Sequence, residues 1–217
     1  MRRHDGLFPH IMDFALRPSR YMHDSWAEAL FTPELWARLR QSRRASPHVD
    51  RMILADLGVA QTVPAGFDTA AARLALLDAA TLDRLSLHMG LVLDGAAVRQ
   101  TITAEAVRGL RNTLGAETYA FAVQRAPLLA AAHPPVERRQ ADGDLLPRVR
   151  GVGRAALGTA LAGLPEPIFK RFRLKLPQDD ATDFTPTSRS AQAATLAVRV
   201  LKETEPRWAS LFATPSM

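Results

Sequence analysis

The chain has 217 residues, of which 47% are hydrophobic, and a formal net charge of +6. This apolar fraction is ordinary for a folded globular protein and argues against intrinsic disorder. The absence of cysteine excludes disulfides and thiolate metal sites and fits a reducing compartment. The longest uncharged stretches have 11 residues, fewer than the about 18 apolar residues of a spanning helix, so we expect a soluble, cytoplasmic chain without membrane insertion.

Ala, Leu and Arg dominate the sequence, which favours helices over sheet. Asp24-Ser25 is a start signal for a helix that contains Trp26 and Leu30. Thr32-Pro33 starts a second helix, which is expected to bury its apolar face. The apolar residues of that face are Leu35, Trp36 and Leu39.

The central part, residues 65–126, contains no proline and predicts a stack of amphipathic helices. One helix begins at Asp78 or Thr81, and another ends at Gly115. Apolar residues recur at helical spacing along both. The side chains that we expect to be largely buried in the core are Trp26, Trp36, Leu85, Met89, Leu110, Leu114 and Phe121.

Residues 133–143 are polar, contain two consecutive prolines, and form the best candidate linker. Beyond them, Leu145 to Leu161 predicts a helix interrupted by several glycines. Since each glycine costs about 1 kcal/mol relative to alanine, this helix either packs very closely on a neighbour or is broken. The predicted fold is all-α, a compact bundle of short and medium amphipathic helices in one domain, 1–217, with a sub-boundary at 133–143.

No pattern in the sequence supports catalysis or metal binding. The six histidines show no ligand spacing, and His88, beside an apolar helical face, is interpreted as a boundary or hydrogen-bonded core histidine rather than a ligand. The Gly-x-Ser-x-Gly motif of hydrolases is absent. Gly151-Val152-Gly153 follows no strand and lacks the Lys-Ser/Thr of a phosphate loop. We therefore predict no enzyme activity, no catalytic residue, no cofactor and no metal.

The positive charge leaves two interpretations open. It could serve an acidic partner or nucleic acid, or it could reflect codon bias and solvated helix faces. Residues 103–125 read as helix, turn, helix, but the second helix carries Tyr119, Ala120, Phe121 and Ala122, which form a core-like face rather than a reader of base edges. A basic helical nucleic-acid-binding regulator is kept as the alternative function.

The densest basic segment is residues 170–175, which alternate lysine and arginine with Phe172 and follow Phe169. This segment either binds an acidic partner surface or is a short amphipathic segment neutralised by nearby carboxylates. Those carboxylates are Asp179, Asp180 and Asp183.

Several short motifs, in order along most of the chain, resemble the cytoplasmic type III secretion protein family called YscK, PscK or SctK. The matching pieces are Phe14-x-x-Arg17-Pro18-x-x-Tyr21-Met22-His23 with Trp26, Leu82-x-x-Leu85-x-x-His88-Met89-Gly90, Leu110-x-x-x-Leu114-Gly115, Tyr119-x-Phe121-Ala122, Arg125-Ala126-Pro127-Leu128 and the region of Trp208. No match is found in residues 133–150.

The resemblance implies a non-enzymatic adaptor of the sorting platform beneath the injectisome. Such a protein links the cytoplasmic domain of the inner-membrane ring protein, SctD, to the pod protein, SctQ. It is cytoplasmic and peripheral to the inner membrane through the secretion apparatus. The resemblance implies no catalytic residue, and its partners include no nucleic acid.

Exposed arginines form bidentate contacts with acidic surfaces, so we expect an arginine-bearing face to meet a partner. The candidate partner-binding residues are Arg17, Arg20 and Tyr21 in the N-terminal motif, and Arg171 and Arg173 in the basic segment. An internal salt bridge that fixes the N-terminal segment is an equally good explanation of Arg17.

Overall fold

The computed structural model describes residues 6–131, 144–180 and 187–212, and every regular element within them is helical. The prediction of an all-α fold is confirmed. The α-helices are α1 Phe8–Leu16, α2 Asp24–Ala27, α3 Pro33–Gln41, α4 Ser46–Asp56, α5 Ala70–Leu74, α6 Ala79–Asp94, α7 Ala96–Gln100, α8 Ala104–Leu114, α9 Ala116–Ala120, α10 Ala126–Ala130, α11 Leu145–Leu161, α12 Glu166–Arg173 and α13 Ser190–Thr204.

Short 3₁₀ segments occur at Pro18–Arg20, Gln178–Asp180 and Pro206–Phe212, and a π-helical turn at Phe121–Arg125 joins α9 to α10. Pro127 follows this turn. A proline has no N–H to donate and its ring crowds the carbonyl four residues earlier. In a π turn each backbone hydrogen bond spans five residues instead of four, so the turn is wider. It lies where the proline ring would otherwise crowd this carbonyl.

The chain divides into two compact units. Unit 1 comprises Met1–Ala79, Gly163–Thr185 and Ser210–Met217, and unit 2 comprises Ala80–Ala162 and Pro186–Ala209. The prediction of a single domain, 1–217, stays a prediction. The linker proposed at 133–143 lies outside the described residues.

The core of unit 1 forms where the N-terminal segment, α3 and α4 meet the end of α12. Its buried members are Met22, Ala27, Trp36, Val49, Ile53 and Leu174. Trp36 is buried as predicted, whereas Trp26 is only half-buried at the edge of this cluster. The indole Nε1 of Trp26 donates to the Leu176 carbonyl at 2.9 Å, so its polar edge is satisfied where the ring leaves the core.

In unit 2, α11 runs unbroken from Leu145 to Leu161 and packs against α13. It also crosses α6 so closely that the backbones touch. A Cβ at Gly153 would overlap the Ser86 carbonyl oxygen, and a Cβ at Gly90 would overlap the Val149 carbonyl oxygen. Of the two explanations for the glycine-rich helix, close packing is therefore the correct one.

The prediction of burial is confirmed for Leu85, Met89 and Phe121, whereas Leu110 and Leu114 are only half-buried. Both leucines lie on α8, which has no fully buried side chain. An apolar stripe predicts which face of a helix turns inward, but not how much of the protein covers that face.

The α6–α11 crossing predicts a strong contrast between two glycines of one helix. Gly153→Ala is expected to lower the free energy of unfolding by about 1–3 kcal/mol or more, because the added methyl group meets backbone atoms that cannot move independently. The matched control is Gly151→Ala, because a Cβ at Gly151 would have no atom within 4 Å outside the backbone of its own helix. There the helix propensity of alanine should raise stability by up to about 1 kcal/mol. Equal effects in urea denaturation would contradict the crossing.

Candidate functional site

The N-terminal motif and the basic segment, which are about 150 residues apart in sequence, meet in unit 1. The His23 N–H donates to the Leu174 carbonyl at 2.7 Å, and Trp26 donates to the Leu176 carbonyl. The guanidinium of Arg173 lies over the Trp26 ring, 5.0 Å from its centroid. Two of the segments selected from the sequence therefore bind each other.

Arg171 lies at the centre of this contact and is 1% exposed. Its guanidinium donates to four backbone carbonyls: Ala15 at 3.2 Å, Pro167 at 2.9 Å, Val59 at 2.9 Å and Thr62 at 2.6 Å. Burial lowers the pKa of Arg171, but a guanidinium stays protonated at any physiological pH. The side chain thus ties α12 to the end of α1 and to the loop after α4.

The expectation that Arg171 lies on an exposed face is wrong. The alternation of charged and apolar residues in 170–175 gave no sign that this position faces inward. A buried charge is tolerated only when its donors are satisfied, and here carbonyls rather than carboxylates satisfy them. The interpretation of this segment as one neutralised by carboxylates is not supported at Arg171, while Asp183 and the side chain of Asp180 lie outside the described residues.

Lys175 is a second buried cation, 4% exposed. Its Nζ donates to the carbonyls of Ala75 at 2.7 Å and Leu77 at 2.6 Å. It also lies 4.9 Å from the Phe14 ring centroid and 5.1 Å from that of Tyr21. Burial lowers the pKa of Lys175 to about 7, and the charge of Asp78 opposes this shift.

Tyr21 is half-buried, and its ring stacks on Phe14 with centroids 5.5 Å apart. Its hydroxyl donates to the Phe14 carbonyl at 2.7 Å. Burial raises the pKa of Tyr21, so the phenol remains a neutral donor. The contacts of Tyr21 therefore hold α1 against the segment that follows it.

Arg17 and Arg20 are the exposed members of the predicted set. Both approach Asp13, with Nη1 to Oδ1 distances of 2.7 Å and 3.6 Å. The internal salt bridge considered for Arg17 is thus present. Its side chains are about half exposed, at 51% and 52%, and such a pair contributes only about 0.3–0.5 kcal/mol, so it can rearrange at low cost.

A surface feature between α2 and α3 was not predicted. Leu30 and Leu35 are 57% and 45% exposed, although the sequence pattern placed Leu30 within a helix and Leu35 on a buried helical face. Because α2 ends at Ala27, Leu30 lies in the following turn rather than on a helix. The sequence did contain an indication of this. The next helix starts at Thr32-Pro33, which leaves room for only one helical turn after Asp24.

The polar residues that the structure describes in unit 2 form no cluster of metal ligands. His88 is buried, and its Nδ1 lies 2.8 Å from the Arg84 carbonyl. Its ring is nearly perpendicular to that of Phe121, with the centroids 4.6 Å apart. Burial lowers the pKa of His88, with Glu205 opposing. It is the hydrogen-bonded core histidine that was predicted. Within residues 6–131, 144–180 and 187–212, no group of three or more potential ligands could hold a metal ion.

None of the helices described is both long and apolar enough to cross a membrane.

The model of one protein family, YOP proteins translocation protein K (YscK), matches residues 9–213. The chain belongs to the YscK family. The relationship that the scattered motifs indicated is thereby confirmed. The motif residues Phe14, Tyr21 and Trp26 of this YscK-family chain all take part in the packing of unit 1.

Among solved structures, the chain is similar to the cytoplasmic domain of the T3SS sorting platform protein PscK from P. aeruginosa. The two share 22% sequence identity with a TM-score of 0.55, over 90% of this chain and 94% of that one. At this identity the likeness concerns the fold. No curated protein matches the chain.

Arg171→Met is expected to lower the free energy of unfolding by about 3 kcal/mol or more, because it leaves buried carbonyls without a donor. Arg171→Lys, which keeps the charge but not the fork of donors, should have an intermediate effect. The exposed Arg20→Met serves as the control and should change stability by less than about 0.5 kcal/mol. Urea denaturation measures all three, and an Arg171→Met effect as small as that of the control would contradict a structural role.

Lys175 predicts a pH dependence of stability. Above a pH of about 7 the folded chain loses this proton, whereas the unfolded chain keeps it up to the ordinary lysine value of 10.5. Because the unfolded state binds more protons in this window, the contribution of Lys175 to the free energy of unfolding should rise with pH from 7 to 9. The difference between wild type and Lys175→Met, measured by urea denaturation at each pH, should show this rise. A constant difference would mean that the buried amine stays charged.

Proposed function

We propose that the chain is a non-enzymatic adaptor of a bacterial type III secretion sorting platform. In this role it links an SctD-like cytoplasmic domain of the inner-membrane ring protein to an SctQ-like pod protein. Its location is cytoplasmic, peripheral to the inner membrane through the secretion apparatus. The observation that carries the proposal is the match of the YscK family over residues 9–213.

The similarity to PscK, which is described as a T3SS sorting platform protein, supports the same assignment. An adaptor needs a stable body and at least two surfaces that bind different partners. The helical packing of unit 1, tied together by Arg171 and Lys175, supplies such a body. The polar groups at its centre are engaged with backbone carbonyls, which suits support rather than turnover.

Arg17 and Arg20 are the best-placed members of the predicted arginine face. Their side chains are 51% and 61% exposed, and the shared Asp13 is too weakly bound to prevent new contacts. An acidic patch on one partner would replace Asp13 with bidentate contacts. Arg173 remains a weaker candidate, because it is half-buried against Trp26. Tyr21 and Arg171 contribute by holding the segment in place.

The alternative of a nucleic-acid-binding regulator loses its main support in this structure. Phosphate binding needs exposed cations, and the densest basic segment has buried Arg171 and Lys175. The second helix of the suspected reader, α9, is only Ala116–Ala120 and continues directly into the π turn. Salt-dependent binding to arbitrary DNA at physiological ionic strength would favour the regulator.

The adaptor role predicts that the purified chain forms a complex with the ring protein's cytoplasmic domain and with the pod protein of the same secretion system. Arg17→Glu/Arg20→Glu is expected to weaken binding to one of the two by about tenfold or more, with an unchanged thermal melt. Co-purification and calorimetric titration measure the binding of each partner separately.

Arg150→Glu/Arg199→Glu is the matched control. It makes the same change of net charge at two exposed positions of α11 and α13. If both double variants weaken binding equally, net charge alone is responsible. If neither partner binds the wild-type chain, the adaptor role is wrong.

A further inference from the structure

The surface between α2 and α3 contains two adjoining concavities in unit 1, with volumes of about 520 and 160 Å³. They share Glu28, Phe31 and Pro33. We call them together the 24–40 groove. We infer that this groove binds a partner segment in which a large apolar side chain stands next to a lysine or arginine.

The apolar part of the groove consists of leucines over an aromatic floor. Leu30 and Leu35 are close in sequence, and both side chains are exposed, at 57% and 45%. Phe31 and Trp36 stack with centroids 5.8 Å apart and planes inclined by 10°. Adjacent large apolar side chains that remain in water are typical of interaction surfaces rather than of a solvated helix face.

The floor of the groove is held in place before any partner arrives. Trp36 is 3% exposed, and its Nε1–H donates to Asp24 Oδ1 at 2.9 Å. Thr32 caps α3 by accepting from the Leu35 N–H at 3.4 Å. A preformed surface loses little conformational entropy on binding, which removes one of the terms that oppose association.

The charges on the groove favour a basic partner. Asp24 is engaged by Trp36 and by Arg40, whose Nη1 lies 3.3 Å away. Glu28 lines both concavities, is exposed, and has no ion-pair partner among the described residues. Glu34 and Arg38 are both exposed on α3, but neither lines a concavity.

The unpaired charge at the groove is therefore negative, in a chain whose net charge is +6. A partner that approaches with a cation beside its apolar anchor meets a complementary charge at Glu28. The size of the larger concavity suits one or two apolar side chains from a short helix or loop. Such a partner differs in chemistry from the acidic surface that Arg17 and Arg20 would bind.

This inference rests on the proposed function, because it identifies the chemistry of one of the adaptor's two partners. The test titrates the full chain separately with the ring protein's cytoplasmic domain and with the pod protein. Leu30→Ser/Leu35→Ser and, independently, Glu28→Lys are expected to weaken one of the two complexes by about tenfold or more. The other complex and the thermal melt should be unchanged.

Matched controls change equally exposed residues elsewhere. Ile102→Ser/Leu128→Ser removes side chains that are 89% and 66% exposed, and Asp83→Lys reverses an exposed charge on α6. These variants should bind both partners as the wild type does. Glu28→Lys decides the matter if the leucine variant melts at a lower temperature, because it removes no apolar contact.

The outcomes separate this inference from the adaptor role. If wild type binds a partner and the groove variants bind it equally well, the groove is not the site, and the adaptor role stands. If wild type binds neither partner, the adaptor role is wrong, and the assignment of a partner segment to the groove is wrong as well. If wild type self-associates in light scattering and only the groove variants are monomeric, the occupant is a second copy, which overturns the assignment to a partner.

Discussion

A guanidinium removed from water must find acceptors for its N–H donors inside the protein. In this chain that requirement applies to Arg171, which donates hydrogen bonds to carbonyls at the end of α1, in the loop after α4 and in α12 itself. Lys175, one turn further on, does the same for the carbonyls of Ala75 and Leu77. Loops that are distant in sequence are thus fixed by two cations rather than by apolar packing alone.

Backbone acceptors satisfy the donors of both cations inside the protein. Each carbonyl dipole replaces part of the lost hydration, and the Phe14 and Tyr21 rings add favourable contacts to Lys175. Unit 2 relies on a different constraint, the backbone contact of α6 and α11 at Gly90 and Gly153. Both constraints occur in a chain whose aromatic content is only 6%.

For an adaptor, the division of charged residues between interior and surface matters more than their number. The buried pair, Arg171 and Lys175, contacts the N-terminal segment through the Ala15 carbonyl and the rings of Phe14 and Tyr21. The exposed pair, Arg17 and Arg20, lies on this same segment. The 24–40 groove offers a second surface of different chemistry within the same unit. Two surfaces with opposite charge requirements would allow one small protein to distinguish two partners.

Much of the fold was predictable from local patterns. Capping chemistry and helical spacing, which depend on nearby residues, predict the helix start at Thr32-Pro33, the helix end at Gly115 and the buried faces around Leu85 and Met89. The family relationship was also readable from short motifs, and the motif residues Phe14, Tyr21 and Trp26 take part in the packing of unit 1.

Tertiary structure alone decided which cations are buried. Both Arg17 and Arg171 were predicted from the sequence to bind a partner. The Arg17 side chain is exposed, whereas the Arg171 guanidinium donates hydrogen bonds to four carbonyls. The acceptors of Arg171 come from three separate parts of the chain, and no local pattern records their approach. For the same reason the exposure of Leu35 and the incomplete burial of the α8 leucines could not be predicted: helical spacing determines the direction of a side chain, but only the packed neighbours determine whether anything covers it.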